Sequence, residues 1–245
     1  LRIDDLDTPR NRLGAIESIQ EDLLWLELDW DGPIVFQSQR RELYESVLSD
    51  LKLQGKLYPC RCSRRLLAKR NRSFSQNLIY PGTCRDLGLP FHIDSRKPYG
   101  LRLRVREGFL SVCGDVLLRR ADGFIAYHLA TVVDELSLGI SEVIRGEDLA
   151  NSLNSQLAIM DALEQKPLTY LHTPLWLNAD GTKLSKRGLG RGSMSLKDQG
   201  KNPYNLIGCL ASSLQLVPEG SELSGLELLS ELRNNHDLFN SVFSP

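Results

Sequence analysis

The sequence predicts an α/β protein in which helices cover a parallel sheet and a basic, β-rich insertion interrupts that sheet. Short apolar strands alternate with amphipathic helices towards both ends of the 245-residue chain, which is typical of parallel sheets. Between these ends, residues 53–125 hold 15 Lys and Arg against 5 Asp and Glu, whereas the remainder holds 15 against 26. The overall charge of −1 thus conceals a segment of +10, which indicates a polyanion-binding surface, with a solvated basic face as the alternative.

The first 55 residues predict one strand and two helices. Residues 1–3 resemble the end of a strand, and residues 12–25 carry apolar side chains at helical spacing. Ser38 is a suitable cap for a second helix that ends near Gly55.

The insertion is predicted to be rich in strands and loops. Residues 57–62 predict a strand and a turn, whereas residues 71–97 lack any period and need another source of order. Residues 101–106 alternate between apolar side chains and arginine, which predicts a half-buried strand with an exposed basic face. An Asp-Gly pair predicts a hairpin turn within residues 116–127.

The rest of the chain returns to alternating helices and strands. Helices are expected at residues 128–138 and 147–164, and strands at residues 140–144 and 168–177. After a polar, Gly-rich segment, the residues beyond 202 predict helices.

The composition, 41% hydrophobic and 25% charged, is typical of globular proteins. No run of about 18 apolar residues exists, so we expect no contact with a membrane. No secretory pattern is visible either, and we expect a cytoplasmic location. The chain begins at Leu1 and its only methionines are Met160 and Met194, so we expect an incomplete chain.

Three cysteines form a candidate metal site. Cys60 and Cys62 form a C-x-C pair, and Cys84 follows the loop-rich stretch. Thiolates in such a pattern can bind Zn²⁺, which would order a segment that has little core of its own. The fourth ligand stays open between Asp86, His92 and water, and three unrelated buried cysteines are the alternative.

A basic loop is a candidate polyphosphate site. Residues 183–187 read Lys-Leu-Ser-Lys-Arg after a glycine turn, and ammonium groups there can neutralise phosphate oxygens. An exposed basic turn is the alternative interpretation.

Two further constellations lie where strands are expected to end. Tyr127 and Arg145 would be near the carboxyl ends of strands, where Arg can hold a carboxylate through two hydrogen bonds. Alternatively, Tyr127 belongs to the core and Arg145 pairs with Glu147 or Asp148. Near the start of the chain, Asp4 could receive an ammonium group or help to cap the next helix.

Together these segments resemble class I aminoacyl-tRNA synthetases of the glutamyl type. Residues 183–187 resemble the KMSKS loop of that family, and residues 2–7 resemble its R-I-E-D-x-D segment. The Y-H-L-A, R-G-x-D and H-x-P-L segments match residues 127–130, 145–148 and 172–175. The resemblance implies a ligase that activates glutamate with Mg²⁺-bound ATP to form glutamyl-adenylate.

The resemblance also implies roles for individual residues. The implied glutamate-binding residues are Asp4 for the α-ammonium group and Tyr127 and Arg145 for the side-chain carboxylate. The implied ATP-binding residues are Lys183, Ser185 and Lys186, and the two lysines are the implied catalytic groups.

The cysteine pattern, with Tyr80 four residues before Cys84, narrows the resemblance to glutamyl-queuosine tRNA(Asp) synthetases. This implies Cys60, Cys62, Tyr80 and Cys84 as ligands of a structural Zn²⁺. It also implies transfer of glutamate to queuosine in the anticodon of tRNA(Asp), and we expect a monomer. The 58 residues after Arg187 are too few for the anticodon-binding region of a glutamyl-tRNA synthetase.

The implied fold is a Rossmann-like parallel sheet with an inserted zinc-bearing, β-rich subdomain and a C-terminal helical segment. Residues 1–52 and 126–187 would form the two halves of the catalytic domain, 53–125 the acceptor-type insertion, and 188–245 the helical segment. The family's N-terminal strand and HIGH motif are absent from the sequence. The alternatives are therefore a fragment of a glutamyl-tRNA synthetase charging tRNA(Glu) and a non-catalytic zinc- and tRNA-binding remnant.

Overall fold

The structure is a computed structural model, and it divides into two compact units that we describe separately. It describes residues 1–8, 11–63, 65–67, 79–91, 98–175, 177–178, 181, 183, 197 and 201–234. The central unit comprises Asp4–Thr8 and Phe36–Tyr170, and the terminal unit comprises Leu1–Ile3, Pro9–Val35 and Leu171–Pro245.

Helices and strands alternate along the described residues. The strands are β1 (Arg2–Ile3), β2 (Val35–Phe36), β3 (Leu57–Cys60), β4 (Gly100–Leu103), β5 (Leu117–Arg119), β6 (Glu142–Gly146) and β7 (Thr169–Thr173). The helices are α1 (Ala15–Trp25), α2 (Arg41–Leu53), α3 (Glu107–Leu110), α4 (Tyr127–Ser137), α5 (Leu153–Ala162), α6 (Pro203–Ser213) and α7 (Gly225–Asn234). Strand β1 pairs with β2 and β6 pairs with β7, and a helix lies between the two strands of each pair along the chain.

The insertion forms a three-stranded antiparallel sheet in the order β3-β4-β5. Its central strand β4 is buried along its whole length, and this corrects the expected exposed basic face at Arg102, whereas Arg104 is half-buried and Arg106, beyond the end of β4, is exposed as expected. Arg102 of β4 is only 8% exposed, because a central strand has neighbours on both edges and here is covered on both faces. The alternation of apolar and arginine side chains therefore did not by itself indicate that Arg102 is shielded from solvent.

The core of the central unit lies between this sheet and three helices. Helix α2 buries Tyr44, Leu48 and Leu51, which share one face at spacings of four and three residues. Glu42 in its first turn and Lys52 in its last turn complement the helix dipole. Helix α4 buries seven of its eleven residues and packs against α5, so this pair forms the interior of the unit.

The terminal unit contains α1, α6 and α7. Helix α6 begins at Pro203, and the side chain of Asn202 accepts a hydrogen bond of 3.0 Å from the Tyr204 amide. A Cβ atom at Gly208 would lie 1.7 Å from the Ser221 carbonyl oxygen, so only glycine permits this close approach. The expected helices beyond residue 202 are thus confirmed for the part that the structure describes.

None of the helices that the structure describes has the length and apolar character needed to span a membrane. Helix α4 begins at Tyr127, which the sequence had placed at the end of a hairpin. The expected helix at 147–164 begins as a 3₁₀ segment over Glu147–Ser152 and continues as α5.

Candidate metal centre and carboxylate-binding cluster

The structure brings together all four residues that were expected to bind a metal. The sulfur atoms of Cys60, Cys62 and Cys84 lie within 4.8 Å of one another. The Tyr80 hydroxyl lies 3.3 Å from the Cys60 sulfur and 3.7 Å from the Cys62 sulfur. We refer to these four residues as the metal cluster.

The metal cluster has the dimensions of a tetrahedral zinc site. Zinc–sulfur bonds of about 2.3 Å in tetrahedral geometry place two sulfurs about 3.8 Å apart, and zinc–oxygen bonds of about 2.0 Å place oxygen about 3.5 Å from sulfur. The Cys62 and Cys84 sulfurs are 3.6 Å apart, close to the expected sulfur–sulfur distance. The Tyr80 oxygen lies 3.3 Å and 3.7 Å from two of the sulfurs, on either side of the expected oxygen–sulfur distance. Three thiols and one phenol therefore fit Zn²⁺ in both donor type and spacing.

The backbone positions these ligands. Strand β3 ends at Cys60, and Tyr80 forms a bridge with Gly114, whose φ is +64°. A Cβ atom at Gly114 would lie 2.7 Å from the Tyr80 carbonyl oxygen, so a larger residue there would push Tyr80 away. The Cys84 amide donates a hydrogen bond of 2.8 Å to the Tyr80 hydroxyl, which ties the last two ligands together.

Asp86, the alternative fourth ligand that the structure describes, does not belong to the metal cluster. Asp86 is exposed, and its carboxylate accepts a hydrogen bond of 3.1 Å from Arg104. His92 lies outside the described residues.

Arg102 contacts two residues of the metal cluster, and sequence analysis missed it. Its guanidinium lies 3.7 Å from the centroid of the Tyr80 ring, and its Nε donates to the Cys60 sulfur at 3.4 Å. Its Nη1 also donates to the Asp115 carbonyl oxygen at 2.6 Å. The guanidinium thus holds a tyrosine ring and a thiol in fixed relative positions.

A buried carboxylate, Asp115, connects the surrounding strands. It accepts hydrogen bonds of 2.6 Å from the Tyr58 hydroxyl and 3.0 Å from the Val105 amide, and it pairs with Arg85. Several basic residues of the insertion, Arg85 and Arg102 among them, therefore bond inside the protein rather than facing solvent.

Burial shifts the acid–base properties of the metal cluster. It raises the pKa of Cys62 to about 11. Burial, together with the hydrogen bond to Cys60, raises the pKa of Tyr80. Because zinc binds thiolates and phenolates, a zinc ion bound here would displace protons from these groups.

A second group of side chains surrounds Arg145 at the end of β6. None of its members carries a carboxylate, and we call it the carboxylate cluster after the group that Arg145 is suited to bind. Its members are Tyr127 and His128 of α4, Arg145 of β6, Gln156 of α5 and Tyr170 of β7. Arg145 Nη1 donates to Gln156 Oε1 at 2.6 Å, and the guanidinium lies 4.8 Å from the Tyr170 ring centroid. The Tyr127 and His128 rings pack edge to face with centroids 5.5 Å apart.

This cluster combines one permanent cation with neutral groups. Burial and the positive charge of Arg145 lower the pKa of His128, so its imidazole is neutral at pH 7. Burial and the nearby Glu135, which accepts a hydrogen bond of 3.2 Å from the Tyr170 hydroxyl, raise the pKa of Tyr170. Tyr127 is 43% exposed, so the cluster is open to solvent on one side. A cation with an open face is suited to bind a carboxylate.

The remaining expected site residues fall into two groups. Asp4 is exposed in the central unit, while its neighbours Asp5 and Asp7 bond to Ser38 and Arg120. Lys183 is exposed in the terminal unit, where it forms an antiparallel bridge with Leu177. Ser185 and Lys186 lie outside the described residues. The structure thus joins Tyr127 to Arg145 through shared neighbours, whereas the roles expected for Asp4 and Lys183 stay predictions.

Sequence analysis also missed Gln156 and Tyr170. Gln156 follows Arg145 by eleven residues and is fully buried, so no motif or spacing connects the two. Tyr170 lies in the short strand β7, T-Y-L-H-T, and nothing in that strand connects it to Arg145 before the fold is known.

Comparisons with known proteins agree with this architecture. Residues 1–227 match the family described as tRNA synthetases class I (E and Q), catalytic domain. Over its whole length the chain is 55% identical to a Prochlorococcus marinus (strain MIT 9313) protein named glutamyl-Q tRNA(Asp) synthetase, of which it covers 80%. A Nocardia farcinica protein of the same name is 39% identical over 89% of the chain, and the match covers 74% of that protein.

Solved structures share the fold. The glutamate–tRNA synthetase of Elizabethkingia anophelis matches 94% of the chain with a TM-score of 0.74 and 23% identity. A glutamate–tRNA ligase from Elizabethkingia meningosepticum matches 86% with a TM-score of 0.70 and 24% identity. The chain spans 57% and 53% of those two proteins. By sequence and by fold, the chain belongs to the class I tRNA synthetases of the glutamyl and glutaminyl type, a family of ligase-type enzymes.

Proposed function

We propose that the protein activates glutamate with ATP and transfers it to queuosine in the anticodon of tRNA(Asp). The observation that carries this proposal is the metal cluster, in which three cysteines and Tyr80 converge within a class I synthetase fold. This cysteine and tyrosine pattern resembles that of the queuosine-modifying synthetases. Relatives named glutamyl-Q tRNA(Asp) synthetase support the same choice of acceptor.

The carboxylate cluster would bind the substrate side chain. Arg145 would hold the glutamate carboxylate through paired hydrogen bonds, and Tyr127 would close the exposed side of the site. Asp4 would receive the α-ammonium group. With both ends of the amino acid held, its α-carboxylate is oriented for attack on the α-phosphorus of ATP.

Lys183, together with Ser185 and Lys186, would bind the triphosphate of Mg²⁺-bound ATP. No covalent link to the enzyme is required, because the glutamate carboxylate displaces pyrophosphate directly. Positive charges placed around the phosphates would stabilise the charge that develops on them during this step.

The metal cluster would hold one structural Zn²⁺ through Cys60, Cys62, Tyr80 and Cys84. Zinc there would order the insertion, and four protein ligands would leave no position for a reactive water. Residues 53–125 would form the acceptor-type insertion between the catalytic halves 1–52 and 126–187, followed by helical residues 188–245. We further propose a monomer that works in the cytoplasm.

Glutamate-dependent exchange between ATP and pyrophosphate tests the proposed function in the full-length protein. The queuosine-modifying enzymes activate glutamate without tRNA, and we expect exchange without any tRNA added. Labelled glutamate should then pass to tRNA(Asp) that contains queuosine, and neither to tRNA(Asp) lacking it nor to tRNA(Glu). Exchange that depends strictly on tRNA(Glu) would support a glutamyl-tRNA synthetase instead, and the absence of exchange under all conditions would support a binding remnant.

Lys183→Ala tests the ATP site in the same assay. We expect exchange to slow by about a hundredfold, because one charge-assisted contact to phosphate contributes about 3 kcal/mol. Lys201→Ala is a matched control, since Lys201 is also an exposed lysine of the terminal unit. Equal rates for the two variants would overturn the proposed role of Lys183.

A further inference from the structure

Gln156 contacts Arg145 directly through a side-chain hydrogen bond. It belongs to α5, is fully buried, and accepts from Arg145 Nη1 at 2.6 Å. This short distance indicates a strong charge-assisted hydrogen bond to a side chain that is itself shielded from solvent.

The nitrogen of the Gln156 amide contrasts with its oxygen. Its Nε2 is buried, and no hydrogen-bond partner for it lies among the described residues. An unsatisfied buried amide nitrogen is destabilising, so an apolar side chain of similar size would suit the core better. Among the described residues, the Gln156 amide therefore bonds through its oxygen, and the donor is Arg145.

Tyr170 also restricts the orientation of the Arg145 guanidinium. Arg145 lies 4.8 Å from its ring centroid, and the Tyr170 hydroxyl is itself fixed by a bond of 3.2 Å to Glu135. Contacts with Gln156 and Tyr170 thus restrict both the direction of one guanidinium N–H and the plane of the group. A guanidinium held in this way loses little further freedom when it binds a carboxylate.

We propose that Gln156 is a positioning residue that orients Arg145 for the carboxylate of an acidic amino acid without adding negative charge beside it. A glutamate at this position would be nearly identical in shape, but its carboxylate would compete with the substrate for Arg145. The neutral amide therefore contributes to the choice of an acidic substrate over its amide analogue. This inference rests on the proposed role of Arg145 in binding glutamate.

Three variants of the full-length protein test it by glutamate titration in calorimetry and by KM values in ATP–pyrophosphate exchange. Gln156→Glu should weaken glutamate binding by about ten- to a hundredfold, the equivalent of one charged hydrogen bond. Its KM for ATP should stay unchanged, and its preference for glutamate over glutamine should fall. Gln156→Met should weaken glutamate binding less and retain the preference, because it removes the orienting oxygen without adding charge.

Gln165→Glu is the matched control, because it makes the same substitution at an exposed glutamine just beyond α5. Its kinetic constants should equal those of the unmodified protein. A merely structural role for Gln156 would lower kcat and raise both KM values together, and this result would overturn the proposal. Unchanged glutamate binding in Gln156→Glu would do so as well, whereas no glutamate binding by the unmodified protein would instead refute the proposed function.

Discussion

The metal cluster and the carboxylate cluster both lie in the central unit, but different forces hold them. The buried residues around the metal cluster are few: Tyr58, Cys60, Tyr80 and Cys84. The carboxylate cluster instead rests on α4 and α5, which contribute to a core of eighteen buried residues. Burial of apolar area stabilises the second region, whereas the first has little apolar core and would depend on the proposed zinc ion and on a network of polar contacts.

This difference predicts different consequences of mutation. A change at the metal cluster should alter local folding, because few apolar contacts hold the loop segments that carry its ligands, whereas β3, β4 and β5 also contribute to the large core. A change at the carboxylate cluster should alter binding while the helices beneath it persist.

Cys84→Ser should remove the metal and unfold the insertion locally. Serine is a poor zinc ligand, so the zinc content should fall from about one ion per chain to near zero. Hydrogen exchange should become rapid in residues 79–89, which carry Tyr80 and Cys84, and stay slow in α4 and α5. Elemental analysis and hydrogen-exchange mass spectrometry measure the two effects.

Cys209→Ser is the control for this prediction, since Cys209 is an exposed cysteine of the terminal unit. It should retain the metal and the exchange pattern. A Cys84→Ser protein with full zinc content would show that the four residues are not a metal site. Loss of zinc with unchanged exchange would show that the metal does not order the insertion.

Asp115→Asn should destabilise the insertion by about 3 kcal/mol, because it leaves Arg85 opposite a neutral group inside the protein. Asp86→Asn is the matched control. The Asp86 carboxylate, which pairs with Arg104, is 85% exposed, and this change should cost less than about 1 kcal/mol. Urea unfolding followed by circular dichroism provides both values. Equal values for the two variants would argue against a polar network that stabilises this region.

Arg102→Lys should lower zinc affinity by about tenfold, as expected when a neighbour of a metal ligand is lost. Lysine keeps the charge but loses the planar stack on Tyr80 and the directed bond to Cys60. Competition with a chelator measures the affinity. Arg104→Lys is the control, because Arg104 lies over Tyr58 rather than over a ligand. A zinc affinity that is the same in both variants would limit Arg102 to a role in packing.

The same contrast explains how much of each site could be predicted from sequence. Metal ligands follow strict chemical rules, and the C-x-C pair with Cys84 indicated the site before the fold was known. Arg102 was expected to face solvent because alternation shows which residues share a face but not what covers that face. The buried central position of β4 depends on pairing with β3 and β5, which are distant in sequence.

For the carboxylate cluster, sequence motifs indicated the residues that would meet the substrate and not those that support them. Tyr127 and Arg145 stand in recognisable segments, whereas Gln156 meets Arg145 through a side-chain hydrogen bond between α5 and β6 that only the fold reveals. The α/β class was predictable from the alternation of elements. Contacts between elements were not, since each depends on how two surfaces pack.

The smallest predicted effect is a dependence of protein stability on pH. It arises from His128, which belongs to the carboxylate cluster and not to the metal cluster. Burial and Arg145 lower its pKa in the folded protein, so the unfolded chain takes up this proton first as the pH falls. Stability that is present above the usual histidine pKa of about 6.5 is therefore lost below it, by about 1 kcal/mol at pH 5.5. Urea unfolding at pH 7.5, 6.5 and 5.5 measures this loss.

His128→Gln should unfold with a smaller dependence on pH than the unmodified protein, whereas His172→Gln, a change in β7, controls for the loss of one imidazole. Both variants keep all four residues of the metal cluster, so acid-induced release of a metal would affect them equally. Only the difference in pH dependence between the two variants then measures the contribution of His128 in the carboxylate cluster. If His128→Gln and the unmodified protein lost stability in parallel between pH 7.5 and 5.5, the protons taken up would belong to the metal cluster or to exposed carboxylates. His128 would then not be held neutral by burial and by Arg145.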